Sequence, residues 1–184
     1  SGFSCPNIDG TVAKGGCSFY ENDSFSPNLQ EKKSKFKLNP RINENPYLDN
    51  QLKQLEMQFN ATKQRLGNKF GTKKFIVYFQ SFTNTYAPIS TLKALYEKAL
   101  SFDNVIGLSI GTRTDCVTEE ILDYLVDLSK TKEIWVEYGI QSFYDETLVR
   151  VNRGDSVSNM KHWIKRTKDK GLNVCGHLIY GLPD

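Results

Sequence analysis

The chain has 184 residues, of which 39% are hydrophobic and 24% are charged, and its formal net charge is +3. A chain of this length and composition can bury a hydrophobic core, which excludes an intrinsically disordered protein. It has no run of 18 or more apolar residues and no basic segment followed by an apolar one at its start, so its residues indicate neither a membrane span nor a secretion signal. We therefore expect a cytoplasmic protein that does not bind a membrane.

The first segment that could bind a metal is residues 5–20, CPNIDGTVAKGGCSFY, which contains Cys5 and Cys17. Thiolates favour iron–sulfur clusters, zinc or copper(I), and the glycines let the backbone wrap closely around a ligand. Two thiolates do not complete a zinc site, which needs four ligands, and no histidine lies nearby in the sequence. Taken alone, the segment fits either a metal site or a glycine-rich turn with a buried cysteine. The remaining cysteines, Cys116 and Cys175, do not suggest structural disulfides.

Residues 21–72 differ from the rest of the chain. Three prolines with several Asn and Ser predict irregular chain up to about residue 46. Apolar residues at helical spacing then predict a helix that ends near Gly67; they are Leu48, Leu52, Leu55 and Phe59. Residues 30–74 carry eleven Lys or Arg and four Asp or Glu, a local net charge of +7. This charge suits contact with phosphates, and it equally suits a solvated helix face.

From residue 73 onward, strand and helix patterns alternate. Short runs rich in β-branched and aromatic residues predict four parallel strands buried on both faces; they are residues 73–80, 104–111, 133–141 and 173–181. Between them we expect helices with an N-cap at Ser90 or Thr91 and at Thr118, and two shorter helices that end at Gly171. Right-handed crossovers make this an α/β fold, a curved sheet with helices outside, and we expect further chain to complete it.

The carboxyl ends of the predicted strands all carry polar groups, glycine or both. They read FQSFTNT (79–85), SIGTRTDC (109–116), YGIQSF (138–143) and IYGLPD (179–184). Ligands of parallel α/β folds bind at this edge of the sheet. We therefore expect a composite site formed by the four segments.

Five motifs together resemble those of the radical S-adenosylmethionine (SAM) superfamily, and most closely its bacterial YhcC/YtqA branch. In chain order they read CPNIDGTVAKGGCSFY, YFQSFTNTYAP, TRTDC, EYGIQSF and HLIYGLP. The resemblance implies that residues 1–184 form a partial (βα) barrel of the radical SAM type, incomplete at both ends, with residues 21–72 as a basic insertion. It also implies a [4Fe–4S] cluster and S-adenosyl-L-methionine as cofactors, and a reductant such as flavodoxin or ferredoxin as a partner.

By this resemblance, Cys5 and Cys17 are two of three thiolates that bind the cluster, and the third thiolate belongs at the position of Tyr20. A phenol, with a usual pKa of about 10, gives a hard oxygen ligand that replaces a thiolate poorly. Three explanations stay open: an engineered or erroneous residue, a natural site with a weakened cluster, or loss of the chemistry. Cys116 and Cys175 lie on family motifs where a structural role is usual, so they are weaker candidates for the third thiolate.

The resemblance also implies contacts to SAM at the strand ends. Thr83, Asn84 and Thr85 occupy the place where the superfamily contacts the methionine amino group, although such residues are also common helix caps and turn residues. Gln141 and Arg153 match the glutamine and arginine that hold SAM in oxygen-independent coproporphyrinogen oxidases. An arginine fork binds a carboxylate through two hydrogen bonds, and a glutamine amide can both donate and accept.

Three more polar residues are candidates for the same site. Arg113, with Asp115, is either a cofactor or substrate contact or a local ion pair. His177 stands where the coproporphyrinogen branch has an aspartate that contacts the cofactor. Glu137 lies inside an apolar strand, where its carboxylate needs a partner, and we expect Arg113 or Arg153 to be that partner.

The resemblance implies an enzyme that cleaves SAM reductively to a 5′-deoxyadenosyl radical. Relatives by fold, including the catalytic subunit of Elongator, act on tRNA wobble uridines, and the basic segment agrees with tRNA as substrate. The alternative is a non-catalytic barrel that binds SAM or RNA and has lost the cluster, for which Tyr20 is the best argument. A small zinc-binding module fails on ligand count.

Overall fold

The structure is a computed structural model that describes residues 3–19 and 38–183. Tyr20 and the first part of the 21–72 insertion, up to residue 37, lie outside the described residues. The helices and strands are, in chain order, α1 (Pro6–Asp9), α2 (Leu48–Phe70), β1 (Phe75–Phe79), α3 (Ile89–Leu100), β2 (Val105–Thr112), α4 (Glu119–Ser129), β3 (Glu133–Gln141), α5 (Asp145–Arg150), α6 (Val157–Asp169) and β4 (Asn173–Leu178). A 3₁₀ turn at Thr114–Cys116 follows β2.

The four strands form one parallel sheet in the order β1-β2-β3-β4, and helices connect consecutive strands. The predicted α/β fold class and the four strands are confirmed. Because every crossover returns to the next neighbouring strand, the carboxyl ends of all four strands lie along one edge.

The prediction that the strands are buried on both faces is wrong for the described part of the chain. In β3, Ile134, Val136 and Tyr138 are buried in the core beneath the helices, while the alternate residues point the other way. On that second face, Tyr78 of β1 is 46% exposed. The period of two in a strand therefore separates a packed face from a face that is open to a pocket.

Two helix boundaries match the sequence and one differs slightly. Thr118 caps α4, and its side-chain oxygen accepts a hydrogen bond from the backbone N–H of Ile121 at 3.3 Å. Gly171, just after α6, has φ of +83°, as expected at this position. Helix α3 begins at Ile89, earlier than the predicted cap, because Pro88 holds the extended backbone that precedes its first turn.

Helix α2, predicted to end near Gly67, continues to Phe70. Gly71 ends it, with φ of +63° and a backbone N–H that donates to the carbonyl of Gly67 at 2.9 Å. A glycine inside a helix costs only about 1 kcal/mol relative to alanine, so Gly67 by itself does not stop the helix. The described part of the chain contains no helix that is both long and apolar enough to cross a membrane.

Candidate functional site

The segment that contains both N-terminal cysteines, residues 5–17, which we call the cysteine loop, is held by the turn 151–154 after α5. The Asn7 side chain is fully buried, and its Nδ2 donates to the carbonyl oxygens of Asn152 at 2.5 Å and Arg153 at 2.8 Å. In return, Asn152 Nδ2 donates to two carbonyls of the loop, at 2.9 and 2.8 Å. These reciprocal bonds fix the loop against the arginine of the turn.

Gly154 allows the loop and the turn to approach this closely. Its φ is +63°, a backbone conformation that glycine adopts without strain. A Cβ at this position would lie 2.6 Å from Val12 Cγ1 and 3.0 Å from Asn7 Oδ1, so the contact leaves no room for a side chain.

Each of the two thiols lies beside a buried arginine. The Arg113 Nη1 atom is 3.9 Å from Cys5 Sγ, and Arg153 Nη1 is 3.9 Å from Cys17 Sγ. Asn7 Nδ2 is also 3.4 Å from Cys17 Sγ. The two arginines are 2% and 5% exposed. Buried cations at this distance compensate the negative charge that thiolates carry as metal ligands.

Arg113 is held in place by a buried ion pair with Asp115. Its Nε and Nη2 atoms donate to the two carboxylate oxygens at 2.7 and 2.6 Å, and Nη2 also donates to the carbonyl of Arg153 at 2.9 Å. Burial acts to lower the pKa of Arg113, but the hydrogen bonds and charge of Asp115 outweigh it and raise the pKa. The sequence left open whether Arg113 contacts a cofactor or substrate or forms a local ion pair with Asp115. The structure shows the ion pair, and Arg113 also lines the pocket.

Arg153 is a buried cation with a free donor. Its Nη2 donates to the carbonyl of Gly139, whereas its Nε is buried and has no hydrogen-bond partner among the described residues. Burial, and then the charge of Arg113, lower the pKa of Arg153. A Cβ at Gly139 would lie 2.7 Å from Gln141 Nε2 and 3.2 Å from Arg153 Nη2, so this glycine leaves the space that the two side chains occupy. Such a site suits an anionic ligand.

Most of the predicted site residues lie around one pocket at the carboxyl edge of the sheet. Its lining includes the predicted residues Cys5, Cys17, Thr83, Arg113, Gln141, Arg153 and His177. Gln141 ends β3 with φ of +70°, an uncommon backbone conformation for a residue other than glycine. Such strain is often found where a side chain must face a ligand.

Asn84 and Thr85 lie beneath the pocket edge rather than in its lining. Asn84 Nδ2 donates to the carbonyls of Phe79 and Gly111, both at 2.9 Å, and so links the ends of β1 and β2. Thr85 Oγ1 donates to the carbonyl of Cys116 at 2.6 Å. Both side chains are buried and hydrogen-bonded to protein atoms, and neither lines the pocket. Of Thr83, Asn84 and Thr85, it is Thr83 that lines it.

The expectation that Arg113 or Arg153 is the partner of Glu137 is wrong. The carboxylate accepts a hydrogen bond from Ser109 and pairs with His177, whose Nε2 is 2.7 Å from Glu137 Oε2. Burial acts to raise the pKa of Glu137, but the hydrogen bonds from Ser109, His177 and Tyr78 together lower it. Arg113 is instead paired with Asp115, and Arg153 donates to the carbonyl of Gly139.

Sequence reasoning thus missed a polar group in the middle of the open face. It consists of Tyr78, Ser109, Glu137 and Cys175, with His177 beside them. Tyr78 lies near Glu137. Burial, and then the Glu137 carboxylate, raise the pKa of the Tyr78 phenol. The spacing of Cys175 and His177, two apart on β4, was a usable signal that these two share a face, because alternate residues of a strand do so; the register of β3 and β4 adds Glu137 to them.

Comparison with known proteins agrees with this geometry. The family model described as the Radical SAM superfamily matches residues 39–184. The chain belongs to the radical SAM superfamily. The chain is also similar to two bacterial proteins over 99% of its length. They are the protein YhcC of Escherichia coli K12, 37% identical over 183 residues, and the uncharacterized protein YtqA of Bacillus subtilis 168, 35% identical over 182 residues.

The radical SAM chain spans about half the length of these curated relatives, 52% of YhcC and 51% of YtqA. It is also 37% identical over 78 residues to a tRNA uridine(34) acetyltransferase of Methanocaldococcus infernus, which covers 42% of this chain and 14% of that protein. Among solved structures, the Elp3 protein of the same archaeon, with an N-terminal deletion, matches with a TM-score of 0.57 and 26% identity. That match covers 70% of this chain and 34% of Elp3. The fold is therefore the radical SAM α/β fold.

The superfamily typically uses a [4Fe–4S] cluster and SAM, and the described residues fit the two groups to different degrees. For SAM, the buried Arg153 Nε, which has no hydrogen-bond partner among the described residues, suits the carboxylate of the amino-acid head. For the cluster, Cys5 and Cys17 supply two thiolates with buried cations beside them. The third position of the motif is Tyr20, which lies outside the described residues.

Proposed function

We propose that this chain forms the core of a radical SAM enzyme that cleaves SAM reductively and uses the resulting 5′-deoxyadenosyl radical to abstract hydrogen from a substrate. One observation carries the proposal: both loop thiols, two buried arginines and the strained end of β3 converge on a single pocket at the carboxyl edge of the sheet. Ligands of parallel α/β folds bind at this edge.

In this proposal, Cys5 and Cys17 would bind two irons of the cluster, and the sequence motif assigns the third iron to position 20. The cluster, when bound, supplies the electron for cleavage of SAM, and flavodoxin or ferredoxin supplies that electron to the cluster. Arg153 binds the SAM carboxylate, because its buried Nε otherwise lacks an acceptor among the described residues. Gln141 orients the ribose or the amino-acid head from the end of β3.

Two pocket residues complete the proposed cofactor site. Thr83 contacts the methionine amino group from the end of β1, a role supported by its place in the pocket lining. Arg113 compensates the charge on Cys5 from 3.9 Å, and its pairing with Asp115 keeps it in that position.

We propose tRNA, modified at a wobble uridine, as the substrate. The similarity to a tRNA uridine(34) acetyltransferase supports this class of substrate. Exposed cations on α2 and just after it, before β1, form a positive surface that suits a phosphate backbone; they are Lys53, Arg65, Lys69, Lys73 and Lys74.

A second candidate function rests on Tyr20. A barrel that retains the SAM pocket but cannot assemble a cluster would bind SAM or RNA without catalysis. The phenol at the third ligand position favours this candidate, because oxygen ligands suit iron–sulfur clusters poorly.

The two candidates are separated by anaerobic iron–sulfur reconstitution of the chain and of its Tyr20→Cys variant. Iron and sulfide are counted, low-temperature EPR is recorded after dithionite reduction with and without SAM, and 5′-deoxyadenosine is quantified. Cys5→Ser in the Tyr20→Cys background is the control, and we expect it to lose the cluster.

If the unmodified chain holds about four irons and its EPR signal shifts with SAM, it is an enzyme as it stands. If only Tyr20→Cys does so, the non-catalytic candidate describes the sequence as given. Failure of both proteins to hold a cluster, with the fold intact by circular dichroism, contradicts the proposed enzyme.

A further inference from the structure

Three side chains with metal-binding atoms meet on the open face of the sheet, on strands rather than on the cysteine loop. They are Glu137 of β3 and Cys175 and His177 of β4. One carboxylate oxygen, the thiol sulfur and one imidazole nitrogen all lie within 4.8 Å of one another. The interpretation of the loop as a cluster site uses none of the three.

We propose that Glu137, Cys175 and His177 form a separate metal site that binds one Zn²⁺ ion. Imidazole, thiolate and carboxylate are the ligands that zinc uses in proteins, and three protein ligands with one open position are typical of a catalytic zinc site. Zinc bond lengths of 2.0–2.3 Å in a tetrahedron place neighbouring ligand atoms roughly 3.3–3.7 Å apart. The observed spacing, from 2.7 Å for the His177–Glu137 pair to at most 4.8 Å, reaches these values through small side-chain movements.

The backbone already holds the three ligands in a fixed arrangement. Glu137 is paired with Cys175 in the register of the parallel β3 and β4 strands, and His177 is paired with Gly139 one step further along. Residues two apart on one strand project from the same face, so both β4 ligands point toward the β3 carboxylate. Ligands on neighbouring strands are positioned more rigidly than ligands on loops.

The Glu137 carboxylate also has the supporting contacts that a metal ligand needs. Ser109 of β2 donates a hydrogen bond to one of its oxygens, and the Tyr78 phenol of β1 lies near the same carboxylate. Partners of this kind orient the ligand, and their loss typically lowers metal affinity 10- to 100-fold. The His177 nitrogen instead faces the second oxygen, Oε2, where the ion would lie between the two residues.

The open coordination position would face the pocket. Glu137 and His177 both line it, together with Gln141 and the two cysteines of the loop. An ion here would hold an oxygen or nitrogen donor of a bound molecule, or a water, opposite the loop. This inference does not depend on the proposed radical chemistry, since its one thiol, Cys175, is not a cysteine of the loop.

The test is an anaerobic Co²⁺ titration of the chain with Cys5→Ser and Cys17→Ser, so that the loop does not compete for the metal. We expect one Co²⁺ per chain, with the visible absorption of a tetrahedral ion and a thiolate-to-cobalt band in the ultraviolet, and we expect Zn²⁺ to displace it. No binding in this background would overturn the proposal.

The matched variants identify the ligands. His177→Ala should lower Co²⁺ affinity by at least about 100-fold, because loss of a ligand exceeds the effect of losing its supporting contacts, and Cys175→Ser should abolish the thiolate band. The controls are His162→Ala on exposed α6 and Cys116→Ala in the core, which should leave both signals unchanged. Circular dichroism verifies the fold of each variant. If Co²⁺ binding is unchanged in His177→Ala and Cys175→Ser, the proposal is wrong. Glu137 and His177 are then only a hydrogen-bonded pair, and Cys175 is not a ligand.

Discussion

The two sides of the pocket are built in different ways. On the loop side, backbone carbonyls, one buried asparagine and two buried arginines hold the cysteines, and the partners come from distant parts of the chain. On the sheet side, side chains on neighbouring strands bond to one another in register. We infer that the loop side depends on a few buried side chains, and that losing one of them lowers the stability of the whole fold. The sheet side should lose little stability when a single contact is removed.

The largest expected effect concerns the loop-side ion pair. Arg113→Met leaves the mostly buried Asp115 carboxylate without its cation, and breaking a buried pair in this way costs about 3–5 kcal/mol of the free energy of unfolding. Urea denaturation measures it. Asp115→Asn in the same chain should restore part of the loss, while Arg65→Met on the exposed face of α2 serves as control. A loss below about 1 kcal/mol would show that the pair does not anchor this side.

The second effect tests the asparagine anchor. Asn7→Ala removes the donor to the carbonyls of Asn152 and Arg153, and a buried acceptor left unpaired costs about 1–3 kcal/mol. We expect lower stability in urea and faster proteolysis of the loop. Asn60→Ala, at an exposed position of α2, should change neither. Unchanged proteolysis of the Asn7 variant would contradict the view that this side chain holds the loop.

On the sheet side, Ser109→Ala should lower stability by only about 1 kcal/mol, because Glu137 keeps its bond to His177. The hydrogen bond from Ser109 helps to lower the pKa of Glu137 below its usual 4.5, so the ionised carboxylate stabilises the folded state above that pH. This contribution disappears as the pH falls through the lowered folded-state pKa.

The stability difference between the Ser109→Ala chain and the parent should therefore be larger near pH 7 than in strong acid, where both carry a protonated Glu137. Urea denaturation at several pH values measures it. Ser129→Ala, on the exposed end of α4, is the matched control. A difference that does not change with pH would mean that Ser109 contributes through packing alone.

The smallest effect on stability, and the one most specific to the cofactor, is expected for Gly139→Ala. The added methyl displaces only the ends of Gln141 and Arg153, so the free energy of unfolding should change by less than about 1 kcal/mol. If these two side chains bind SAM as proposed, its affinity should fall clearly in calorimetric titration. Gly67→Ala, with open space around it in α2, should leave SAM binding unchanged. Equal affinities in both variants would remove Gln141 and Arg153 from the proposed SAM site.

Local signals in the sequence were sufficient for the elements and for the edge of the sheet that carries the site. The β-branched runs gave β1 to β4, and the Thr118 cap and Gly171 gave helix ends, because these features depend on neighbouring residues alone. The predicted end of α2 near Gly67 lies before the observed end at Phe70. The sequence offers two glycines, and it is Gly71 that adopts the left-handed backbone conformation that ends the helix.

The sequence also named most of the residues that line the pocket, through motifs whose order along the chain follows the order of the strands. It did not determine their partners. Arg113 and Cys5 are 108 positions apart, and Arg153 and Cys17 are 136 apart, so their contacts appear only when the sheet and the loop close on each other. The pairing of Glu137 with His177 required the register of β3 and β4, which periodicity does not specify.

The sequence by itself therefore determined the α/β class, the family and the carboxyl edge as the place of the site, since these follow from local patterns and motif order. Only the tertiary structure decided which charges are buried together and which polar residues share the open face of the sheet. Charge partners and side-chain clusters depend on distances between segments that are far apart in the chain, and packing sets those distances.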